Sequence, residues 1–416
     1  MGVTTVNTID YAPESWGWKP DFLASWASLL DERPELAPLV PARVTRREHH
    51  LYEIVRPDFS GRHPAGTVPP RSDAAENGAT DRVGVSANVR VSGRFEHEAA
   101  GPADYPVAGD WVLVDPGRES ARVHATLARR TALSRGSAGS RCDEQVLAAN
   151  VDVIFLVFAL DGGRNFLPRF LERALVVVRN SGASPCIVLN KADLASEADR
   201  EAALRDASEY APGSPVVALS AKTGEGVGDL ARFLSPGETA SMLGKSGVGK
   251  SALVNALERV STDGELAGES HGEAAGEPNL AREGRVREDD LRGRHTTTSS
   301  RLYRLDSGIL LIDSPGIREL KVWGEAEGLD GGFPEIAEMA DRCRFSDCAH
   351  ADEPGCAVRA ALASGELDEA RFLSYLALVK EQAWVERRND DRARQENERK
   401  WKQISKFQKE LKHKRR

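Results

Sequence analysis

Five short stretches of this chain carry residue types that could hold a nucleotide. Gly244-Lys245-Ser246-Gly247-Val248-Gly249-Lys250-Ser251 fits G-x-x-x-x-G-K-[ST]. Glycines in such a loop let backbone N–H groups wrap a phosphate, and the following helix aims its N-terminus at the anion. Lys250 is set to reach the β- and γ-phosphates and Ser251 to hold Mg²⁺, with Ala252 beside them in the nucleotide-binding set. Asn190-Lys191-Ala192-Asp193 fits N-K-x-D. The Asp193 carboxylate can accept from both N1–H and the exocyclic amine of guanine; adenine offers neither in that geometry, so an unpaired buried carboxylate rejects it. Asn190 would tie this loop to the phosphate loop, and the Lys191 stem would cover the base. Ser220-Ala221-Lys222 supplies a second base-contacting loop, whose backbone N–H would meet guanine O6. Asp313-Ser314-Pro315-Gly316 fits D-x-x-G, with Asp313 holding a metal-bound water and the Gly316 N–H reaching the γ-phosphate. His295-Thr296-Thr297-Thr298 stands where a switch loop belongs, and Thr297 is the threonine expected to complete Mg²⁺ coordination.

The order of these stretches is rotated. In ordinary GTPases the phosphate loop comes first and N-K-x-D fourth; here N-K-A-D and S-A-K precede the phosphate loop and both switch motifs follow it. Such an order marks a circularly permuted GTPase. Permutation leaves a sheet intact while moving the chain ends, so the segment after Gly316 runs into another domain and γ-phosphate contacts could move that domain. Asn190 and Asp193 argue against a P-loop ATPase or kinase. Ile317 stands where many GTPases carry a water-orienting glutamine and cannot hydrogen-bond water. His295 is the candidate replacement, against the reading of a simple loop residue, and Lys250 is the second candidate catalytic residue. Intrinsic turnover should be slow.

A second chemistry lies near the C-terminus. Cys343, Cys348, His350 and Cys356 form C-x4-C-x-H-x5-C in a polar stretch without helical or β periodicity. Three thiolates and one imidazole suit one structural, tetrahedral Zn²⁺ with no open position for catalysis. Cys142 and Cys186 lie outside the cluster, and Cys186 falls in an apolar strand as plain core. Five cysteines is an odd number, which speaks against a disulfide framework.

The elements that must position these groups are legible as changes of pattern. Residues 1–41 are an N-terminal extension in which Phe22, Trp26, Leu29 and Leu30 have helical spacing; they predict a helix packed on the next domain, with a partner-binding arm as the alternative. Residues 42–138 carry short β runs, at Arg43–Val55, Val83–Arg94, Asp110–Asp115 and Ala121–Leu127, around a loop-like insert at Arg62–Asp81. A five-stranded OB barrel fits, either binding RNA or buttressing its neighbour. Arg129, Arg130, Arg135 and Arg141 read as a basic linker, an RNA contact or a solvated hinge. Residues 139–328 alternate strand and helix, predicting a doubly wound α/β domain with ligands at the carboxyl ends of its strands. Residues 329–416 hold the cysteine cluster, then helical runs and a tail, Arg399–Arg416, in which Lys and Arg flank Trp401, Ile404, Phe407 and Leu411. That tail is an RNA-phosphate binder or a solvated helix.

The net charge of −8 hides an acidic, Gly/Ala-rich stretch over 261–290 and the basic tail. No apolar run is long enough to span a bilayer, and the N-terminus has no basic region followed by an apolar core. A cytoplasmic monomer without a membrane partner is the expectation.

An OB barrel, a permuted GTPase with G-K-S-G-V-G-K-S, H-T-T-T and D-S-P-G, and then C-x4-C-x-H-x5-C resembles the RsgA (YjeQ/YloQ) family from about Ala42 to the C-terminus. The resemblance implies a GTPase of late small-ribosomal-subunit maturation, with GTP/GDP as ligands, ribosomal RNA gripped by the barrel and zinc domain, and hydrolysis stimulated by the subunit and coupled to release. The alternative is a GTP-gated RNA- or RNP-binding module in which hydrolysis is incidental. The sequence departs from the family pattern in its first forty residues, the 62–81 insert and the acidic stretch.

Overall fold

The computed structural model describes residues 11–59, 62, 64, 84–116, 121–136, 144–161, 168–259, 300–313, 329, 332–350, 353–381 and 383. His295, Thr297, Gly316, Ile317, Arg141, Cys142, most of the 62–81 insert, the acidic 261–290 stretch and the basic tail lie outside the described residues.

Helix α1, Pro20–Glu32, starts on a proline whose fixed φ suits the first helical position, and Phe22, Trp26 and Leu30 at four-residue spacing bury one face. The helix packs on the next unit, as its apolar face predicts. Trp18, just before it, sits edge-on to Trp111 of the barrel at 4.8 Å between ring centroids. Phe22 also meets the Trp111 ring, at 6.1 Å, so the extension packs its aromatic face against the barrel.

Five strands make that barrel: β1 Val40–Glu48, β2 Leu51–Arg56, β3 Gly84–Val91, β4 Trp111–Val114 and β5 Arg122–Thr126. β1 pairs β2 and β4, β2 pairs β3, and β4 pairs β5, all antiparallel; β3 and β5 close the ring in parallel. This is the connectivity of an OB barrel. Two expectations need correction. The run Arg43–Val55 is two strands, because His49 takes a left-handed conformation (φ 55°) and turns the chain without a glycine or proline to announce it. The run Val83–Arg94 ends as a strand at Val91, and Gly93–Glu98 forms helix α2, capped by the Ser92 hydroxyl, which accepts from the Phe95 N–H at 3.2 Å. Within β3, Asn88 (φ 60°) is an extra residue: Tyr52 opposes Val89 but Ile54 opposes Ser86. The bulge flips the face, so Val85 is exposed and Ser86 buried, against simple alternation.

The basic linker is also corrected. Arg135 and Gly136 belong to β6, Ala132–Gly136, which pairs antiparallel with β7, Glu144–Ala149. Arg130 is ion-paired with Asp21 and Asp152. Arg129 binds Asp110, a fully buried carboxylate, at 2.9 and 2.8 Å. Neither of these two side chains is an uncommitted phosphate ligand. Truncating Arg129 strands the Asp110 charge inside the protein; an Arg129→Met protein should lose about 3 kcal/mol of stability in urea unfolding.

The second sheet carries β8 Val153–Ala159, β9 Ser184–Asn190, β10 Val216–Ala218, β11 Thr239–Leu243, β12 Arg301–Arg304 and β13 Leu310–Asp313. Its order is β10-β9-β8-β11-β13-β12, parallel except for β12. The connecting helices are α3 Pro168–Asn180, α4 Glu197–Tyr210, α5 Val227–Ala231 and α6 Lys250–Glu258. Continuous apolar strands such as β8 suit a sheet covered on both faces. β12 also pairs with β1, at Arg301 and Arg46, so barrel and α/β sheet form one eleven-stranded sheet among the described residues.

Beyond the sheet, α7 Pro334–Ala340 and α8 Ala357–Ser364 flank the cysteine loop, and a further helix covers 369–381. Arg371 fastens this region to α3. Its guanidinium binds Glu172 at 2.8 Å, Glu335 at 2.6 Å and the Gly332 carbonyl at 3.1 Å, and lies 4.6 Å from the Phe333 ring centroid. The sequence reading missed this clamp, since Arg371 lies 199 residues from Glu172 and 36 from Glu335.

Candidate nucleotide and metal sites

Parallel strands present their carboxyl ends on one side, and the motif residues sit there. Asn190 ends β9, Ser220 follows β10, Gly244 follows β11 and Asp313 ends β13. Order reverses between β8 and β11, where a crevice forms in such sheets.

The phosphate loop needs its glycines for different reasons. A Cβ on Gly244 would lie 2.4 Å from the Val157 carbonyl oxygen, so β8 passes too close for a side chain. Gly249 has φ +95°, and a Cβ there would meet Asn190 Nδ2 at 2.3 Å. Lys250 opens α6, and its ammonium donates to the carbonyls of Gly244 (2.7 Å) and Lys245 (2.9 Å), which folds the loop round it. The Lys245 ammonium lies 5.8 Å from the Phe170 ring centroid on α3. Gly247 (φ 84°) and Ser246 form the open part of the loop, Val248 is buried beneath it, and Ser251 and Ala252 are exposed on the first turn.

Asn190 joins three loops. Its Nδ2 donates to the Val248 carbonyl at 2.8 Å, and its Oδ1 accepts from the Ala221 N–H at 3.0 Å. The expected tie to the phosphate loop is present. The Ala221 N–H thus already has an acceptor within the protein. Ser220 is buried, and its hydroxyl donates to Asp193 Oδ1 at 2.7 Å while accepting from the Thr223 N–H at 3.2 Å. Lys191 takes φ 64°, and its ammonium reaches Asp161 at 3.1 Å. Asp161 was not singled out from sequence. The signal was there: it follows the apolar strand β8 just as Asp313 closes β13. Burial pushes the Asp313 carboxyl pKa up, and the nearby Lys250 charge opposes that rise.

The four ligand-type residues of the C-terminal loop also converge. Their ligand atoms all lie within 4.8 Å of one another. Sγ of Cys343 is 3.9 Å from Sγ of Cys356 and 3.7 Å from Nδ1 of His350, and Cys356 Sγ is 3.5 Å from that Nδ1. A tetrahedron with bonds of about 2.3 Å has edges of about 3.8 Å, so the cluster could hold one metal ion. Cys356 caps α8, and its sulfur accepts from the Arg359 N–H at 3.5 Å. Burial lowers the His350 pKa, with Glu353 acting the other way, which favours the neutral imidazole that binds metals. Cys186, inside β9, has its thiol pushed up to about 12 by burial and is inert core.

Comparison with known proteins agrees with this arrangement. Residues 126–323 match the RsgA GTPase family. The small ribosomal subunit biogenesis GTPase RsgA of Opitutus terrae is 44% identical over 326 residues, covering 75% of this chain and 82% of that protein. The protein of the same name from Xanthomonas axonopodis pv. citri is 42% identical over 387 residues, 92% of this chain and 91% of its own. The chain belongs to the RsgA GTPase family. Among solved structures, YjeQ from Thermotoga maritima aligns with a TM-score of 0.55 and 24% identity, over 82% of this chain and 98% of that one. YloQ, described as a circularly permuted GTPase, aligns at 0.51 and 21%, over 85% and 96%. These two share the fold. RsgA membership accounts for the motif order: with the strand that feeds N-K-x-D placed before the phosphate loop, the sheet still seats Asn190, Ser220, Gly244 and Asp313 at the same edge.

Proposed function

We propose that this chain binds GTP, hydrolyses it, and does so as a factor in late maturation of the small ribosomal subunit. The observation that carries the nucleotide reading is Asn190, bonded at once to Val248 and Ala221. It assembles the phosphate loop and both base-reading loops although permutation has placed the two base-reading loops before the phosphate loop in the chain. In this reading Asp193 pairs with guanine N1–H and the exocyclic amine, held by Ser220. Lys191, steadied by Asp161, covers the base, and Lys222 completes the S-A-K loop. N–H groups from Lys245 to Ala252 surround the phosphates, and Lys250 offsets charge that develops on them during transfer. The oxygen donors Ser251 and Thr297 suit Mg²⁺, with Asp313 behind a water and Gly316 on the γ-phosphate; the ion would supply charge neutralisation on the phosphates. His295 orients the attacking water in place of the glutamine that Ile317 replaces. Cys343, Cys348, His350 and Cys356 hold one structural zinc ion, for which a three-sulfur, one-nitrogen donor set is apt.

The barrel at 42–138, the GTPase domain at 139–328 and the metal-binding domain at 329–416 then act as grip, switch and second grip on ribosomal RNA, in a cytoplasmic monomer. Among the described residues no helix is long and apolar enough to cross a membrane. Single-turnover and steady-state GTP hydrolysis, with and without purified small subunits, tests the reading. Turnover should rise by at least about tenfold with the subunit, since partners commonly complete such sites. Turnover indifferent to the subunit would instead favour a GTP-gated RNP-binding module in which hydrolysis is incidental.

A further inference from the structure

The barrel and the nucleotide-bearing sheet meet at one registered pair, and its place is informative. Arg46 of β1 pairs with Arg301 of β12, and Arg301 pairs on its other side with Asp313 of β13. Three neighbouring strands thus place a barrel residue, the strand after the switch threonines and the strand-end carboxylate on one line. Registered residues of neighbouring strands project to the same face; Arg46 also pairs with Glu53 of β2, so the line reads Glu53, Arg46, Arg301, Asp313, two arginines flanked by two carboxylates. The Glu53 carboxylate on β2 reaches both arginines, 3.6 Å from Arg46 and 3.8 Å from Arg301. The Arg301 guanidinium also lies 5.4 Å from the Tyr303 ring centroid. Asp313, next along the line, is under the electrostatic influence of Lys250. The side chains of Arg46, Glu53 and Arg301 are 20–29% exposed, so solvent screens them only in part.

We propose that Glu53 is a positioning residue for the nucleotide site, acting through Arg301 on Asp313. The proposal rests on the reading of Asp313 as the carboxylate facing Mg²⁺ and the γ-phosphate. Without Glu53, Arg46 and Arg301 would stand as like charges across the seam between β1 and β12, a destabilising cross-strand pair. With Glu53 the seam is held closed, β12 keeps its register and Asp313 keeps its place. Linkage makes the effect reciprocal: a ligand that orders Asp313 must also steady the barrel hairpin.

Hydrogen exchange on the full chain tests this, with and without a saturating non-hydrolysable GTP analogue and Mg²⁺. In the wild type the analogue should slow exchange over the hairpin, residues 40–56, by about two- to fivefold, the scale of a partly exposed charge network. Glu53→Gln should abolish that slowing while still binding the analogue, and Glu53→Asp should restore part of it. In turnover, Glu53→Gln should lower kcat about two- to fivefold at unchanged KM for GTP, a split that general destabilisation does not produce. A wild-type hairpin that ignores bound analogue, or a Glu53→Gln hairpin that responds like wild type, would overturn the proposal. A wild-type chain that binds no analogue would overturn the nucleotide reading, and this proposal with it.

Discussion

Replacing Asp193 with asparagine should cut GTP affinity by on the order of a hundredfold or more and turn the site toward xanthine nucleotides. The carboxylate offers two acceptors to guanine N1–H and the exocyclic amine, and hydrogen bonds to a charged group contribute about 1.5–3 kcal/mol each. An asparagine presents an N–H₂ where one acceptor stood, so it opposes the guanine amine and pairs with the 2-oxo group of xanthine. The supporting geometry survives the change. Ser220 donates to Asp193 Oδ1 at 2.7 Å, and an amide oxygen can accept that bond. Asn190 still joins Val248 to Ala221, so the loops stay assembled and only the base preference should move. Competition of GTP, XTP and ATP for a fluorescent guanine nucleotide measures the outcome. Unchanged GTP selectivity in the variant would remove Asp193 from the base-reading role.

The second large effect is expected at the metal cluster. Cys348→Ser should take the metal content of the purified protein from about one ion per chain to near none. Structural zinc sites contribute about 10–16 kcal/mol of apparent binding free energy in small domains, and that energy is folding energy for the segment that carries the ligands. Cys348 is the informative choice because Cys356 has a second task as the cap of α8, so its loss would mix two effects. The loop between α7 and α8 should become sensitive to protease, and a chelator should produce the same sensitivity in the wild type. Nucleotide affinity should change by less than about twofold, since the helix over 369–381 keeps its own hold on α3 through Arg371 and Glu172. Metal retained at full content in the Cys348→Ser protein would refute the assignment.

The sheet shows why parts of the fold were legible in advance. The strand β8 and the body of β9 are continuous apolar runs followed by the polar residues Asp161 and Asn190, so hydropathy alone locates them, whereas β11, with Thr239 and Ser241, is located by the phosphate loop that follows it. α4 starts at Glu197 because the Ser196 hydroxyl caps it, accepting from the Asp199 N–H. The barrel was harder. The bulge at Asn88 and the turn at His49 depend on single residues in left-handed conformations, and neither residue type demands one. The arginines at 129 and 130 looked like a basic linker because their carboxylate partners lie at Asp110, Asp21 and Asp152, and no local pattern joins an arginine to an acid that distant.

By itself the sequence determined the proposed chemistry. Guanine selection, phosphate wrapping and thiolate–imidazole metal binding each depend on residue types at short spacings: N-K-A-D, the phosphate loop, and C-x4-C-x-H-x5-C. Local spacing survives folding, so the rotated order of the nucleotide motifs could be read directly. Only the tertiary structure decided how these pieces are mounted on one another. It placed Asn190 between Val248 and Ala221, set Asp161 under Lys191, fastened the metal-binding region to α3 through Arg371, and ran the barrel's β1 into β12 beside Asp313. These contacts are made by residues tens to hundreds of positions apart. Their partners are selected by strand order and burial, quantities that exist only once the chain has closed on itself.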